Sequence, residues 1–297
     1  MSTFTDTGYT YEIISGTNDV ILTAYSGSDT IINKSTVVNG GTTYNITRIA
    51  DNVFKGIPIT SATFGNVTTI GNSAFTSCVS LVSVSFPVTI TIGISAFDDC
   101  TSLSTVSFPS VITIENAAFR RCAFTTASFT TAITIGDFAF FYGQLTNITL
   151  SSIQTIGIGS FVSCKLTSII LPSTISSIGN FAFLSCDRLN NVTFDGSIPS
   201  IATQYYDMPG VGETKGYCFH SFVSFSPLII QKLPITVHYN PIISNADKIR
   251  LIEAFQTLDP PYIYTPPITL NFTNKPHNSM QTGIGSVRNF RAKYKRS

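Results

Sequence analysis

Five cysteines, Cys78, Cys100, Cys122, Cys164 and Cys186, each stand three residues after a phenylalanine. Thiols at so regular an interval could ligate a metal, pair as disulfides, or do no chemistry at all. A tetrahedral metal site needs ligands that converge from different directions. One thiol per structural unit instead makes a ladder with a step of about 4.8 Å. Buried, reduced and inert is the reading that suits a small hydrophobe, and pairing between neighbours in an oxidising setting stays open beside it. Cys218 and His220 form a Cys-x-His without further ligands, a weak metal signal.

Catalytic arrangements are scarcer still. His220, His238 and His277 are the only imidazoles, and none has a serine, cysteine or carboxylate at the spacing of a nucleophile–base–acid triad. Gly157-Ile158-Gly159 lacks the third glycine and the Lys-Ser/Thr of a phosphate loop. Asp98-Asp99 is the one pair of adjacent acids and reads as a solvated turn. The expectation is a chain with no catalytic residue, no cofactor, no metal and no small-molecule substrate.

The cysteines point instead to what positions them. Phe54, Phe75, Phe97, Phe119, Phe140, Phe161 and Phe183 recur at intervals of 21, 22, 22, 21, 21 and 22 residues. Around each runs Ile-Gly-x-x-Ala-Phe-x-x-Cys, then an apolar-x-x-apolar-x-apolar segment such as Leu81/Val84/Phe86 or Leu189/Val192/Phe194. A period in this range with that apolar spacing marks a solenoid of leucine-rich repeats, in which each unit buries its apolar face only by stacking on the next. The phenylalanines and the cysteine ladder are then structural core. Gly71, Gly93, Gly136, Gly157 and Gly179 lie four residues before the phenylalanine, where a positive φ or a close backbone approach asks for glycine. Glu115 is the exception. The Phe161 unit is one residue shorter between Cys164 and Leu166 and one longer between Pro172 and Phe183, so the loops absorb the indels.

The unit IGxxAFxxCxxLxxVxFP resembles the BspA-like class of leucine-rich repeats over about residues 46–196, and Tyr9–Thr47, with its Gly40-Gly41 turn, is similar to the β-rich segment that leads into such proteins. The resemblance implies a β-dominated, right-handed α/β-type solenoid with one parallel strand per repeat, and a non-enzymatic role in protein–protein interaction or surface attachment. Members of the class occur as bacterial surface adhesins, in protists and in large DNA viruses. The basic end TGIGSVRNFRAKYKRS looks most like the viral examples, which implies a virion or host-cytoplasm location and a host-surface or capsid protein as partner.

The organisation expected is a β-rich cap over 1–45, the solenoid over 46–196, a degenerate repeat and C-terminal cap over 197–258, a Pro-rich linker over 259–274 and a basic tail over 275–297. Within the cap, 244–258 places Ile249, Ile252, Ala254 and Phe255 on one face of a short helix. On the solenoid, the residues flanking each central apolar position form a candidate concave binding face: Ser61, Thr63, Ser83, Ser85, Thr105, Ser107, Thr126, Ser128, Asn147, Thr149, Ser168, Ile170, Asn191 and Thr193. This stripe offers neither the aromatic platforms of a glycan or single-strand groove nor the Lys and Arg of a duplex binder. Plain packing of a curved sheet, a polar surface for another protein, and an ordered-water array all remain open for it. Six Asn-x-Ser/Thr sequons, at Asn33, Asn45, Asn66, Asn147, Asn191 and Asn271, follow from the abundance of Asn and Thr.

Charge is sparse, at 11% of residues, and unevenly placed. The last 23 residues hold six basic groups and no acid, leaving the rest with eleven basic against sixteen acidic, a net of −5. Arg288, Phe290, Arg291, Lys293, Tyr294, Lys295 and Arg296 therefore form a candidate anchoring tail, able to meet an acidic protein, nucleic acid or an anionic surface. A second expectation follows, of a particle-associated structural component docked by that tail. No apolar run approaches the roughly 18 residues of a membrane span, and MSTFTDTGYTYEIIS has neither the charged nor the apolar region of a secretory signal.

Overall fold

The structure, a computed structural model, describes residues 2–196 and, beyond them, the strand backbones at 200–201, 205–208, 212–215, 236–239 and 271–274. The chain opens with β1 (Thr3–Asp6), β2 (Tyr9–Ile13), β3 (Asp19–Tyr25), β4 (Ile31–Asn33), β5 (Thr36–Asn39) and β6 (Thr42–Ile49), and then winds into a solenoid of about eight turns. Among the described residues there is no helix; the helix expected at 244–258 and the basic tail lie outside them.

Each coil has three walls. The first is a two-residue strand of Thr-Ile type, Thr69–Ile70, Thr91–Ile92, Thr113–Ile114, Thr134–Ile135, Thr155–Ile156 and Ser177–Ile178, stacked in parallel on β6 and continued by Ser200–Ile201. β-Branched residues suit this pleat: the isoleucine points into the core and its neighbour stays half-exposed. The third wall carries the longer strands, Ser61–Thr63, Ser83–Ser85, Thr105–Ser107, Thr126–Ser128, Asn147–Thr149, Ser168–Leu171 and Asn191–Phe194, beginning from β4. Pairing along it is interrupted after Ser107 and again after Thr149. Pro87, Pro109 and Pro172 follow three of these strands, where a residue without an N–H ends a ladder.

Between them runs a wall of turns around the repeat phenylalanine. Here the residues two before and two after the ring adopt positive φ, as in Ser73 (53°) and Ser77 (59°), or Ser95 (53°) and Asp99 (61°). That alternation turns every second N–H group along the solenoid axis. Ser73, Phe75 and Ser77 donate to the carbonyls of Ile94, Ala96 and Asp98 in the next coil, at 2.8, 2.7 and 2.8 Å. Ala74, Thr76 and Cys78 donate instead within their own turn. A wall without strands is thus as fully bonded as the two that have them.

The recurring glycines answer to only one of the two reasons open to them. Gly71, Gly93, Gly136, Gly157 and Gly179 are not in the left-handed region; a Cβ on Gly179 would lie 2.6 Å from the carbonyl carbon of Gly157, and one on Gly93 2.8 Å from that of Gly71. Close stacking of coil on coil is what excludes a side chain. The positive φ falls elsewhere, on residues that are mostly not glycine.

Candidate functional site

The cysteine ladder is built from the turn wall and the Phe column beside it. The seven phenylalanine rings stack face to face at 4.9–5.6 Å between centroids, with interplanar angles of 2–16°. Tyr25 closes the N-terminal end of the column at 5.2 Å. Each thiol donates to the carbonyl of the preceding coil's phenylalanine: Cys78 to Phe54, Cys100 to Phe75, Cys122 to Phe97, Cys164 to Phe140 and Cys186 to Phe161, at 2.9–3.2 Å. All five are free and buried. Loss of water pushes the Cys78 and Cys164 thiols up to about 12 and raises those of Cys100, Cys122 and Cys186 as well. A protonated, occupied, solvent-excluded thiol is a poor ligand and a poor nucleophile, and no group of three His, Cys, Asp or Glu able to hold a metal occurs among the described residues.

Asp98 departs from the solvated turn that its sequence suggests. Its residue is 5% exposed, and its carboxylate accepts from Nε and Nη2 of Arg120 at 2.8 and 2.6 Å. Arg121 reaches Asp98 at 3.5 Å and Asp99 at 3.2 Å. The partners are one coil apart, so the acid pair of one repeat locks to the base pair of the next.

The strand stripe faces outward along its length. Thr105, Ser107, Thr126, Ser128, Asn147, Thr149 and Ile170 are exposed, and Ser61, Thr63, Ser83, Ser85, Ser168 and Asn191 half-buried; Thr193 alone is buried, at 8%. Apart from Ile170, hydroxyls and amides make up the stripe, and none of it is charged. Its register runs further than the periodicity indicates: Asn191 and Thr193 align with Thr236 and His238, and these with Asn271 and Thr273. Asn271–Asn274, expected at the end of a linker, is thus a strand of this wall. Asn-Phe-Thr repeats the Asn-Val-Thr of 191–193 and the Asn-Ile-Thr of 147–149, which also accounts for three of the sequons: polar-apolar-polar is what a one-face-buried strand needs.

One cluster has no counterpart in the sequence reading. Phe138 and Tyr142 are 42% and 55% exposed, and Phe141 lies between them at 5.7 and 4.5 Å, edge to face. Phe141 and Ile158 pack on a small buried cluster of Val162, Phe181 and Leu184, separate from the main core. The signal was present in FAFFYG, at places where the Phe75 and Phe97 units carry Ser, Thr or Asp.

A family profile described as a BspA type leucine rich repeat region, in six copies, matches residues 33–134 and 112–209. The chain belongs to that family. Among solved structures it is similar to a leucine rich cell surface protein from Faecalibacterium prausnitzii, at 24% identity and a TM-score of 0.62 over 80% of this chain and 70% of that one. A leucine-rich repeat protein from Bacteroides ovatus aligns over the same shares at 19% identity and a TM-score of 0.52. At these identities the BspA-type chain shares a fold with both. No curated protein matches it.

Proposed function

We propose that this BspA-type chain is a non-enzymatic binding module that engages a protein partner at a surface through its strand wall. The observation that carries the reading is the strand wall from β4 to Asn271–Asn274, whose outward residues from Ser61 to Asn191 are hydroxyls and amides apart from Ile170, with no charge among them. Such a face adapts its hydrogen bonding to a protein surface without a charge to desolvate. The match to a repeat family, and the name of the F. prausnitzii relative as a cell surface protein, support it from outside the chain. The viral origin and particle role implied by the basic end draw no support from these relatives.

The test is a panel of purified cell-surface and matrix proteins probed with the full chain, with Thr105→Arg and Asn147→Arg on the strand wall and Thr113→Arg on the opposite wall. Binding lost in the first two and kept in the third supports the reading. Binding equally tolerant of all three, or none at all, sinks it.

A further inference from the structure

Two features of the solenoid fall at one junction, between the coil of Phe97 and the coil of Phe119. The first is a break in the strand wall. Thr105–Ser107 pairs with Ser83–Ser85 on one side, and Thr126–Ser128 pairs with Asn147–Thr149 on the other. Between Thr105–Ser107 and Thr126–Ser128 themselves there is no hydrogen bond. The later interruption, after Thr149, keeps one, from the N–H of Thr167 to the carbonyl of Thr146 at 3.3 Å.

Exposure records the same gap. Ala62, Val84, Ile148 and Ile169, central residues of other strands in this wall, are buried, whereas Val106 and Ala127, which flank the break, are partly open to water. The cause lies in the loop before the strand. Cys78 and Leu81, or Cys100 and Leu103, are three residues apart, but Cys122 and Phe124 only two. Thr126–Ser128 therefore reaches the wall one residue short of its predecessor. Its successor matches it, because Gly143 and Leu145 are also two apart.

The second feature is charge. Arg120 places Nε and Nη2 on Asp98, and Arg121 reaches Asp98 and Asp99, so these ion pairs span the junction at which the strand pairing is missing. The remaining walls stay bonded there: the N–H of Glu115 donates to Ile92 at 3.0 Å and that of Phe97 to Ala118 at 2.8 Å. We infer that this junction is a latched seam, at which the coils part ahead of the flanking junctions and divide the solenoid into two units, and that the ion pairs of Asp98 and Asp99 with Arg120 and Arg121 hold it shut. The latch answers to salt, because the two arginine side chains are 38% and 46% exposed and their attraction to the acids is screened by ions. The seam concerns how the coils hold together and not what the strand wall binds, so it stands apart from the function proposed above.

Cys122 reports the seam directly. Its thiol lies across this junction on the carbonyl of Phe97 at 3.2 Å, while Cys78 and Cys164 lie across other junctions. The folded full chain is alkylated with iodoacetamide, and each cysteine is followed by mass spectrometry, its rate taken relative to that in the urea-unfolded chain. Local opening should make Cys122 react about tenfold faster than Cys78 and Cys164, and Arg120→Gln/Arg121→Gln should add about tenfold more at Cys122 alone. Salt at about 1 M should speed Cys122 in the unsubstituted chain and leave the variant unchanged. If the variant does not fold, the salt series on the unsubstituted chain decides by itself. One rate for all three thiols overturns the inference, as does a faster Cys78 or Cys164. A Cys122 rate indifferent to salt overturns the latch.

Discussion

The column of repeat phenylalanines and the column one residue further along the chain run side by side through the same seven coils under opposite rules. The first never changes, and its rings stack without a break from Phe54 to Phe183. The second reads Lys55, Thr76, Asp98, Arg120, Phe141, Val162 and Leu184. One backbone bond separates a position where packing admits a single side chain from one where it admits several, among them the buried Asp98, Val162 and Leu184. What varies along the second column is therefore particular to each coil, and what is constant along the first says only that the coils stack.

The contrast is tested most severely in the middle of the ring column. Phe119→Ala removes a ring that stacks on Phe97 at 5.3 Å and Phe140 at 5.6 Å, and should cost about 4 kcal/mol in urea unfolding. Should it cost under about 1, the column is not the spine.

Arg120→Ala probes the variable column where an ion pair ties one coil to the next. Asp98 stays buried while losing both of its short bonds. Because Arg120 is partly exposed, the expected loss is about 2 kcal/mol, below that for a fully buried pair. A double-mutant cycle with Asp98→Ala should recover part of it; strict additivity would show that the pair is not coupled.

The smallest effect per residue belongs to the thiols. Cys78 and Cys164 ionise near pH 12 in the folded chain and near 8.5 when unfolded. A raised folded value stabilises fully below the unfolded one and is lost as pH rises towards the folded one. Stability should hold up to about pH 8 and fall by roughly 1–2 kcal/mol per thiol by pH 10. Melting of wild type beside Cys78→Ala/Cys164→Ala across that range checks it, the variant losing less.

Much of this was legible from spacing alone. Inward positions recur because each coil repeats the same packing problem, so the Phe, Cys, Ile and strand residues declare themselves. The left-handed residues did not, because Asn52, Ser73, Ala117 and Phe138 share a φ but no side chain, and the glycines that suggest such a conformation are there for close approach. Asp98 looked solvated because its partner is 22 residues away, a pairing that no single unit contains. The strands at 236–239 and 271–274 fall at intervals unlike the 21–22 of the solenoid, so periodicity passed them by although their polar-apolar-polar pattern matches. The aromatic cluster was overlooked because it breaks the repeat, and deviations are where a repeat protein records what is particular to it.

The cross-coil hydrogen bonds of the turn wall run along the solenoid axis, as do the ladders on either side. A force applied between the two ends would load them one coil at a time, as in a zip, and not all together in shear. Each coil that gave way would release about 22 residues, lengthening the chain by roughly 70 Å. Under such a load the solenoid would act as a shock absorber, paying out in steps.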